Sequence, residues 1–264
     1  MSKPDNKVDL RYQACLEKAL KRMSVLQVTY EETSWLREAR SLADILVKLK
    51  DKDDKVRQTA IYFLGGLGDK RAASALIHSM RTDPDIDLRG SAADALGFIG
   101  DKRAVTALLD TLQNDPCVKV RERAASGLRV TWRDKRVVDV LVAVMANKGE
   151  YPYVREMVAE ALYGHDPKKA APVLIESLSD ESVNVRYWSA ASLTEMKCAE
   201  ALPELARLAA TDTAICYDPD GGTSCVYGSV SGAAARALLK IKQDLGMPLT
   251  TEEAEYLARC RSEF

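Results

Sequence analysis

The side chains that most often act as catalysts or metal ligands are sparse in this sequence. Its 264 residues include two histidines, His78 and His165. His78 falls on a predicted helix among core positions, which favours a packing role, and His165 precedes Asp166 at a predicted helix end, where a cation suits the helix dipole. Most of the six cysteines are scattered, without the C-x-x-C spacing of a zinc site: Cys15, Cys117, Cys198, Cys216, Cys225 and Cys260. We therefore expect neither a metal nor another cofactor.

One dense polar cluster remains, the segment CYDPDGGTSC at residues 216–225. Asp218 and Asp220 resemble the start of a calcium loop, but the downstream glutamate of such a loop is missing. Three interpretations stay open: a structural or partner-contacting loop, a redox pair of Cys216 and Cys225, and an ion or covalent site. GGLGDK at residues 65–70 is interpreted as a helix end and turn, and no G-x-S-x-G elbow occurs. We expect a protein that is not an enzyme.

The elements that carry these residues follow an internal repeat. The stretch DPDIDLRGSAADALGFIGDKRA at residues 83–104 recurs most clearly as DDKVRQTAIYFLGGLGDKRA at residues 53–72. The anchor arginines are separated by 32, 32, 34 and 31 residues: Arg57, Arg89, Arg121, Arg155 and Arg186. A fixed period of this length indicates stacked supersecondary units, each burying its apolar face against its neighbours.

Each repeat has the pattern of helix, turn and helix. In the second repeat, residues 70–80 form the predicted first helix and Pro84 breaks it. Asp85 is placed to cap the second helix, whose buried stripe is rich in alanine because adjacent helices must approach closely. Gly97 and Gly100 are predicted to let the chain leave this helix with positive φ.

Four aspartates recur at the start of the predicted first helices. Their regularity favours a structural role, in which each accepts from helix-end amides or from the repeat arginine of a neighbour. They are Asp69, Asp101, Asp134 and Asp166.

The frame V-R-x-x-A-A-x-A-L-G-x-x-G-D-x-R-A, carried by residues 56–72 and 88–104, resembles the HEAT-repeat family in its phycobilisome-lyase HEAT-like form. The resemblance covers about residues 39–241 and weakens at residues 129–132 and at Thr194. It implies an all-α, right-handed, armadillo-like α-solenoid of about six helical hairpins. It says little about function, because one fold hosts many functions.

The expected organisation has three parts. Residues 1–38 form a leader and an N-terminal capping helix, and residues 39–242 form the solenoid. A helix from about Ser34 to Lys50 opens the first repeat, and a long loop at residues 211–229 interrupts the last one. Residues 243–264 form a C-terminal capping helix, with Thr250 and Glu253 at capping-box spacing.

Bulk composition narrows the class of partner. The formal net charge is −1, so nothing in the total favours nucleic acid or an anionic membrane. No apolar run approaches the roughly 18 residues of a membrane span, and the polar N-terminus lacks a signal peptide. We expect a cytoplasmic protein whose thiols are reduced.

The outward positions of the second helices are the candidate partner-binding surface, since the family resemblance places these helices on a concave face. Between Asp87 and Glu195 they carry six acids and two bases, so we expect a protein partner with a basic surface. The alternative is that these are solvated helix faces. The candidate residues are Tyr62, Asp94, Phe98, Glu122, Arg123, Tyr153, Glu156, Glu160, Tyr187, Trp188 and Glu195.

Aromatic residues strengthen this candidate, because exposed Trp and Tyr often anchor interfaces. Tyr153, Tyr187 and Trp188 fall on adjacent repeats, although Trp188 could instead pack between repeats. Tyr62 and Phe98 would extend the aromatic strip.

The function that follows is a non-enzymatic binding module, such as a scaffold, an adaptor or a bacterial immunity protein that occludes a toxin. The alternative is a phycobilin lyase-like subunit, which the repeat also resembles. In that case Tyr153, Tyr187, Trp188 and the segment 216–225 would help to hold a bilin.

Overall fold

The computed structural model describes residues 35–36, 39, 41–129, 134–217 and 226–253. The chain divides into two compact units, Met1–Thr131 and Trp132–Phe264. The described part of each unit contains consecutive helical hairpins. We call the two members of each hairpin its first and second helix.

The described part of the first unit contains three hairpins. In these, α1 pairs with α2, α3 with α4, and α5 with α6. A 3₁₀ turn at Lys70–Ala72 precedes α3. The helices are α1 Leu42–Lys48, α2 Asp54–Leu67, α3 Ala73–Thr82, α4 Ile86–Ile99, α5 Lys102–Asn114 and α6 Val118–Leu128.

The described part of the second unit also contains three hairpins, α7 with α8, α9 with α10, and α11 with α12. A 3₁₀ turn at Ala199–Ala201 precedes α11. The helices are α7 Lys135–Ala146, α8 Pro152–Ala161, α9 Pro167–Ser177, α10 Val183–Leu193, α11 Leu202–Thr211 and α12 Val230–Asp244. The all-α repeat class predicted from the sequence is therefore confirmed.

Two predicted elements differ in detail. Ala39 is not helical, and α1 begins after Ser41, whose side chain and that of Asp44 form a capping box. The predicted long loop contains an antiparallel pair of strands, β1 Ile215–Tyr217 and β2 Val226–Ser229. Hydrogen bonds explain both differences: the capping box fixes the start of α1, and backbone pairing forms the two strands.

The chain ends are described in part. The Thr250 hydroxyl accepts from the Glu253 backbone and the Glu253 carboxylate accepts from the Thr250 backbone, which confirms the predicted capping box. The predicted helix at residues 9–23 and the rest of the C-terminal helix lie outside the described residues. Their capping role stays a prediction.

The recurring aspartates cap helices, as predicted. Asp69, Asp101, Asp134 and Asp166 each accept a hydrogen bond from the backbone N–H two residues further on. Such caps satisfy amides that the first turn of a helix leaves without a partner. The partner of the repeat arginine, however, is a different aspartate.

A buried ion pair joins successive repeats in the first unit. The Arg57 Nε and Nη2 atoms donate to the two carboxylate oxygens of Asp83 at 2.9 and 3.1 Å. Arg57 Nη1 donates to the carbonyls of Asp51 and Lys52, in the turn of its own repeat. Asp83 also accepts from the Asp85 backbone N–H. One guanidinium therefore ties the turn of one hairpin to the turn of the next.

The second unit repeats this arrangement. Arg155 donates to Asp180 at 2.9 Å, and Arg186 donates to Asp212 at 2.6 Å. The aspartates are 25 and 26 residues beyond their arginines. We name these contacts the turn bridges. Three of the five anchor arginines therefore have a structural role in the contact between repeats, whereas the contact shown for Arg89 is with the Asp83 carbonyl before its own helix.

Small residues let the second helices pack closely. A Cβ added at Gly97 would lie 2.5 Å from the Gly127 carbonyl oxygen, and one added at Gly65 would lie 2.9 Å from the Ala95 Cβ. Gly97 is therefore a packing residue inside α4, and the prediction that it ends the helix is wrong. Gly100 has a φ of 61° and ends α4, as predicted.

We expect Arg57→Ala to destabilise the first unit strongly. The change leaves the Asp83 carboxylate buried without its guanidinium, and breaking a buried ion pair costs about 3–5 kcal/mol. The measurement is the free energy of unfolding in urea. Arg81→Ala, which removes an exposed pair with Asp110, is the control and should change the midpoint little. Equal midpoints for both variants would show that the turn bridge is dispensable.

Candidate protein-binding surface

The exposed aromatic side chains share one location. Among the side chains that the structure describes, each exposed aromatic residue lies on a second helix or within two residues of one. They are Tyr62, Phe98, Tyr151, Tyr153 and Tyr163. We call the outward side of these helices in each unit the second-helix surface.

In the first unit, Phe98 on α4 is 73% exposed and Tyr62 on α2 is 50% exposed. Both were predicted to point outward. Gly66, the residue of α2 that is 32 positions before Phe98, has open space around an added Cβ. Gly66 and Phe98 therefore occupy equivalent positions of successive repeats, one without a side chain and one with an exposed ring.

Asp94 lies one helical turn before Phe98 on α4. Arg123 Nη1 lies 3.4 Å from its carboxylate oxygen, and the Ser126 hydroxyl hydrogen-bonds it. Burial raises the pKa of Asp94 above its usual value, although Arg123, Ser126 and Arg129 act in the opposite direction. The charged form of Asp94 is therefore disfavoured at this position in the unbound protein. Costly charged groups on a surface are candidates for function.

The predicted acidity of the first unit is largely balanced by local pairs. Lys119 Nζ lies 2.7 Å from the Asp87 carboxylate. The stem of Arg123 crosses Gly90, where an added Cβ would lie 2.9 Å from the Arg123 Cγ. Glu122 is half-buried. The described second helices of this unit therefore do not present a surface of a single charge sign.

In the second unit, Tyr151 and Tyr153 stack at the start of α8. Their ring centroids are 5.9 Å apart with an interplanar angle of 29°. Tyr153 was in the predicted set, whereas Tyr151 and Tyr163 were not. The signal for Tyr151 was Pro152, which marks the first turn of a helix and leaves the preceding residue outside it.

The predicted outward position of Glu156 is wrong. Its side chain is 2% exposed and accepts a hydrogen bond at 2.9 Å from Asn184 Nδ2 on α10. Glu156 therefore lies between α8 and α10. The helical period placed it at the edge of the buried stripe, and the neighbouring helix covers that edge.

The predicted outward position of Tyr187 is also wrong. Tyr187 is buried, and an added Cβ at Gly228 of β2 would lie 3.9 Å from its ring. Arg236 on α12 also hydrogen-bonds it. The strand pair thus covers this part of α10, which removes Tyr187 from the side chains available to hold a bilin.

The remaining candidates of the second unit take intermediate or exposed positions. Trp188 is half-buried and meets the Tyr187 ring edge-on, with centroids 5.5 Å apart. Glu160 is half-buried, and Glu195 is exposed near Lys240. The alternative for Trp188, packing between repeats, stays a prediction, because the ring contact shown is with its neighbour on the same helix.

Neither histidine builds a reactive site in the described structure. His78 is exposed, contrary to the expected packing role. His165 is 5% exposed, and burial lowers its pKa, so it is not the helix-end cation that we expected. The described residues contain no group of three or more His, Cys, Asp or Glu side chains that could hold a metal. Cys225, the second member of the considered redox pair, lies outside the described residues.

These features define an all-α protein of stacked helical hairpins. A family model described as HEAT repeats matches residues 39–129, 105–163 and 138–215. The matches together cover more than half of the chain, which belongs to the HEAT-repeat family. No curated protein sequence matches it.

Solved structures show the same fold at low identity. The YibA protein of Escherichia coli is 16% identical, with a TM-score of 0.55 over 93% of this chain and 89% of that one. An engineered protein is 20% identical, with a TM-score of 0.50 over 78% and 100%. The complex of CpcE and CpcF of phycocyanin lyase from Nostoc sp. PCC7120 is 17% identical, with a TM-score of 0.46 over 98% and 91%. The first two likenesses show the fold alone.

None of the helices in the described ranges combines the length and apolar composition that a bilayer crossing requires.

We expect stability to fall in mild acid because of His165. A lowered pKa in the folded state means that the unfolded chain binds a proton more readily. The stabilisation is therefore complete above about pH 6.5 and is lost as pH falls towards the folded pKa, by at most about 1.4 kcal/mol per pH unit. Urea unfolding at several pH values should show this slope in the wild type and in His78→Gln, and a smaller slope in His165→Gln. An unchanged slope in His165→Gln would refute the assignment.

We expect Glu156→Lys to destabilise the second unit by about 3 kcal/mol, because it removes the Asn184 hydrogen bond and places a cation in a buried position. Thermal and urea unfolding provide the measurement. Glu181→Lys, at an exposed position in the turn before α10, is the matched control and should change stability by no more than about 0.5 kcal/mol. Similar unfolding of the two variants would place Glu156 on the surface instead.

Proposed function

We propose that this protein is a non-enzymatic binding module that holds a partner protein on its second-helix surface, as a scaffold, an adaptor or an immunity-type protein does. The observation that carries the proposal is the location of the exposed aromatic residues, which in both units lie on or beside second helices. Aromatic side chains are costly to expose and are enriched among the residues that dominate interface energies.

The first helices are weaker candidates for a partner-binding surface. Val47 on α1 is the large apolar residue exposed on a described first helix, at 70%. Single exposed apolar residues are ordinary on protein surfaces, whereas repeated aromatic exposure on one type of helix is not. The HEAT-repeat fold supports the same reading, because its units stack into extended surfaces that suit protein partners.

The local charge pairs modify the predicted partner. Pairs such as Lys119–Asp87 leave the first unit without a strongly acidic surface. Long-range attraction of a basic protein is therefore a weaker requirement than the sequence predicts. The proposed affinity comes from aromatic contacts, with individual charges setting specificity.

The test compares partner capture by variants in the native host. Four tagged proteins are expressed: the wild type, the double variants Tyr62→Ser/Phe98→Ser and Tyr151→Ser/Tyr153→Ser, and the control Val47→Ser. The proteins that each one captures are quantified by mass spectrometry. At least one aromatic double variant should lose a protein that the wild type and Val47→Ser retain. Binding of that purified protein should weaken at least about tenfold, since loss of a hot spot costs about 1–2 kcal/mol or more. Identical capture by all four proteins would refute the proposed surface.

A further inference from the structure

Some outward residues at equivalent positions of successive second helices, 32 positions apart, contact each other in the first unit. Asp87 pairs with Lys119 at 2.7 Å, and Asp94 hydrogen-bonds Ser126. The same spacing separates Tyr62 from Asp94 and Gly66 from Phe98. Tyr62 and Asp94, and likewise Gly66 and Phe98, thus occupy equivalent positions of adjacent repeats.

By this placement, Tyr62, Gly66 and Phe98 outline a notch. Phe98 is one wall and Tyr62, one turn before Gly66 on α2, is the other. Gly66 leaves the floor open, because no atom lies within 4 Å of an added Cβ. Both aromatic rings are exposed, so an apolar side chain that entered the notch would bury ring surface on two sides.

A carboxylate lies at the edge of this notch. The Asp94 side chain is 28% exposed, and its ion pair with Arg123 is long, at 3.4 Å. Burial outweighs the neighbouring cations and hydroxyl and raises the Asp94 pKa. A carboxylate has about four lone-pair sites, of which Arg123 and Ser126 use two, so the exposed side of Asp94 can accept a hydrogen bond from a further donor.

We propose that the notch of Tyr62, Gly66 and Phe98 takes an apolar side chain of the partner protein, and that Asp94 binds a lysine or arginine adjacent to that side chain. The inference rests on the proposed function and deepens it by naming the chemistry of the partner. The aliphatic stem of Arg123 lies across Gly90 and its guanidinium faces Asp94. Arg123 is therefore not placed to bind an acidic residue of the partner. The apolar contacts supply affinity, and Asp94 supplies selectivity for a base.

The test uses a random peptide library displayed on phage and selected on the full chain. Selected peptides are synthesised, and their binding is measured by fluorescence anisotropy. They should combine Leu, Ile, Met or Phe with a neighbouring Lys or Arg. Binding should fall at least about tenfold in Asp94→Asn and in Phe98→Ser, and should be unchanged in Val47→Ser. Circular dichroism and urea unfolding of each variant confirm that it is folded.

Different results separate this inference from the proposed function. Peptides that need Phe98 but carry no base, or that bind Asp94→Asn with unchanged affinity, overturn the assignment of Asp94 and leave the proposed function standing. Failure to select any peptide that depends on Tyr62 or Phe98 overturns the notch, while partner capture in the native host tests the function itself. A dimer in sedimentation that Phe98→Ser abolishes would place a second copy on this surface and overturn the inference.

Discussion

The buried contact between the repeat arginine and an aspartate of the next turn is the constraint on which the rest of each unit depends. In the first unit, Arg57 donates to Asp83 and to two carbonyls of its own turn. A buried guanidinium must satisfy its donors, and this geometry does so only when successive hairpins keep one register. Arg155 and Arg186 impose the same condition in the second unit. At these three arginines, the spacing of the repeats is thus tied to a hydrogen-bonding requirement.

A constant register has a direct effect on the surface. It aligns equivalent outward residues, so that Asp87 meets Lys119 and Asp94 meets Arg123 and Ser126. Two acids of the predicted acidic stripe, Asp87 and Asp94, are thus paired with bases of the next helix. The aromatic side chains of Tyr62, Phe98, Tyr151, Tyr153 and Tyr163 stay exposed, which is why they carry the proposed function.

The sequence predicts the fold better than the binding surface. Local signals that act within a few residues predict the helix starts at Asp85 and Asp101 and the helix end at Gly100. They also predict the exposed positions of Tyr62, Phe98 and Tyr153. Glu156 and Tyr187 were misplaced because their environment is set by residues 28 or more positions away. A helical period shows which residues face the core of a hairpin, but it does not show how far a neighbouring helix or strand pair covers the edge of that face.

The amino-acid sequence by itself determined the class of protein, the repeat length, the caps and the residues available for an interface. These depend on backbone propensity and on periodic burial, both of which are local. The tertiary structure decided which aspartate completes each turn bridge, which acids are paired and which aromatic residues remain accessible. The physical reason is that burial and ion pairing depend on distances between separate helices, and those distances exist only after the hairpins have stacked.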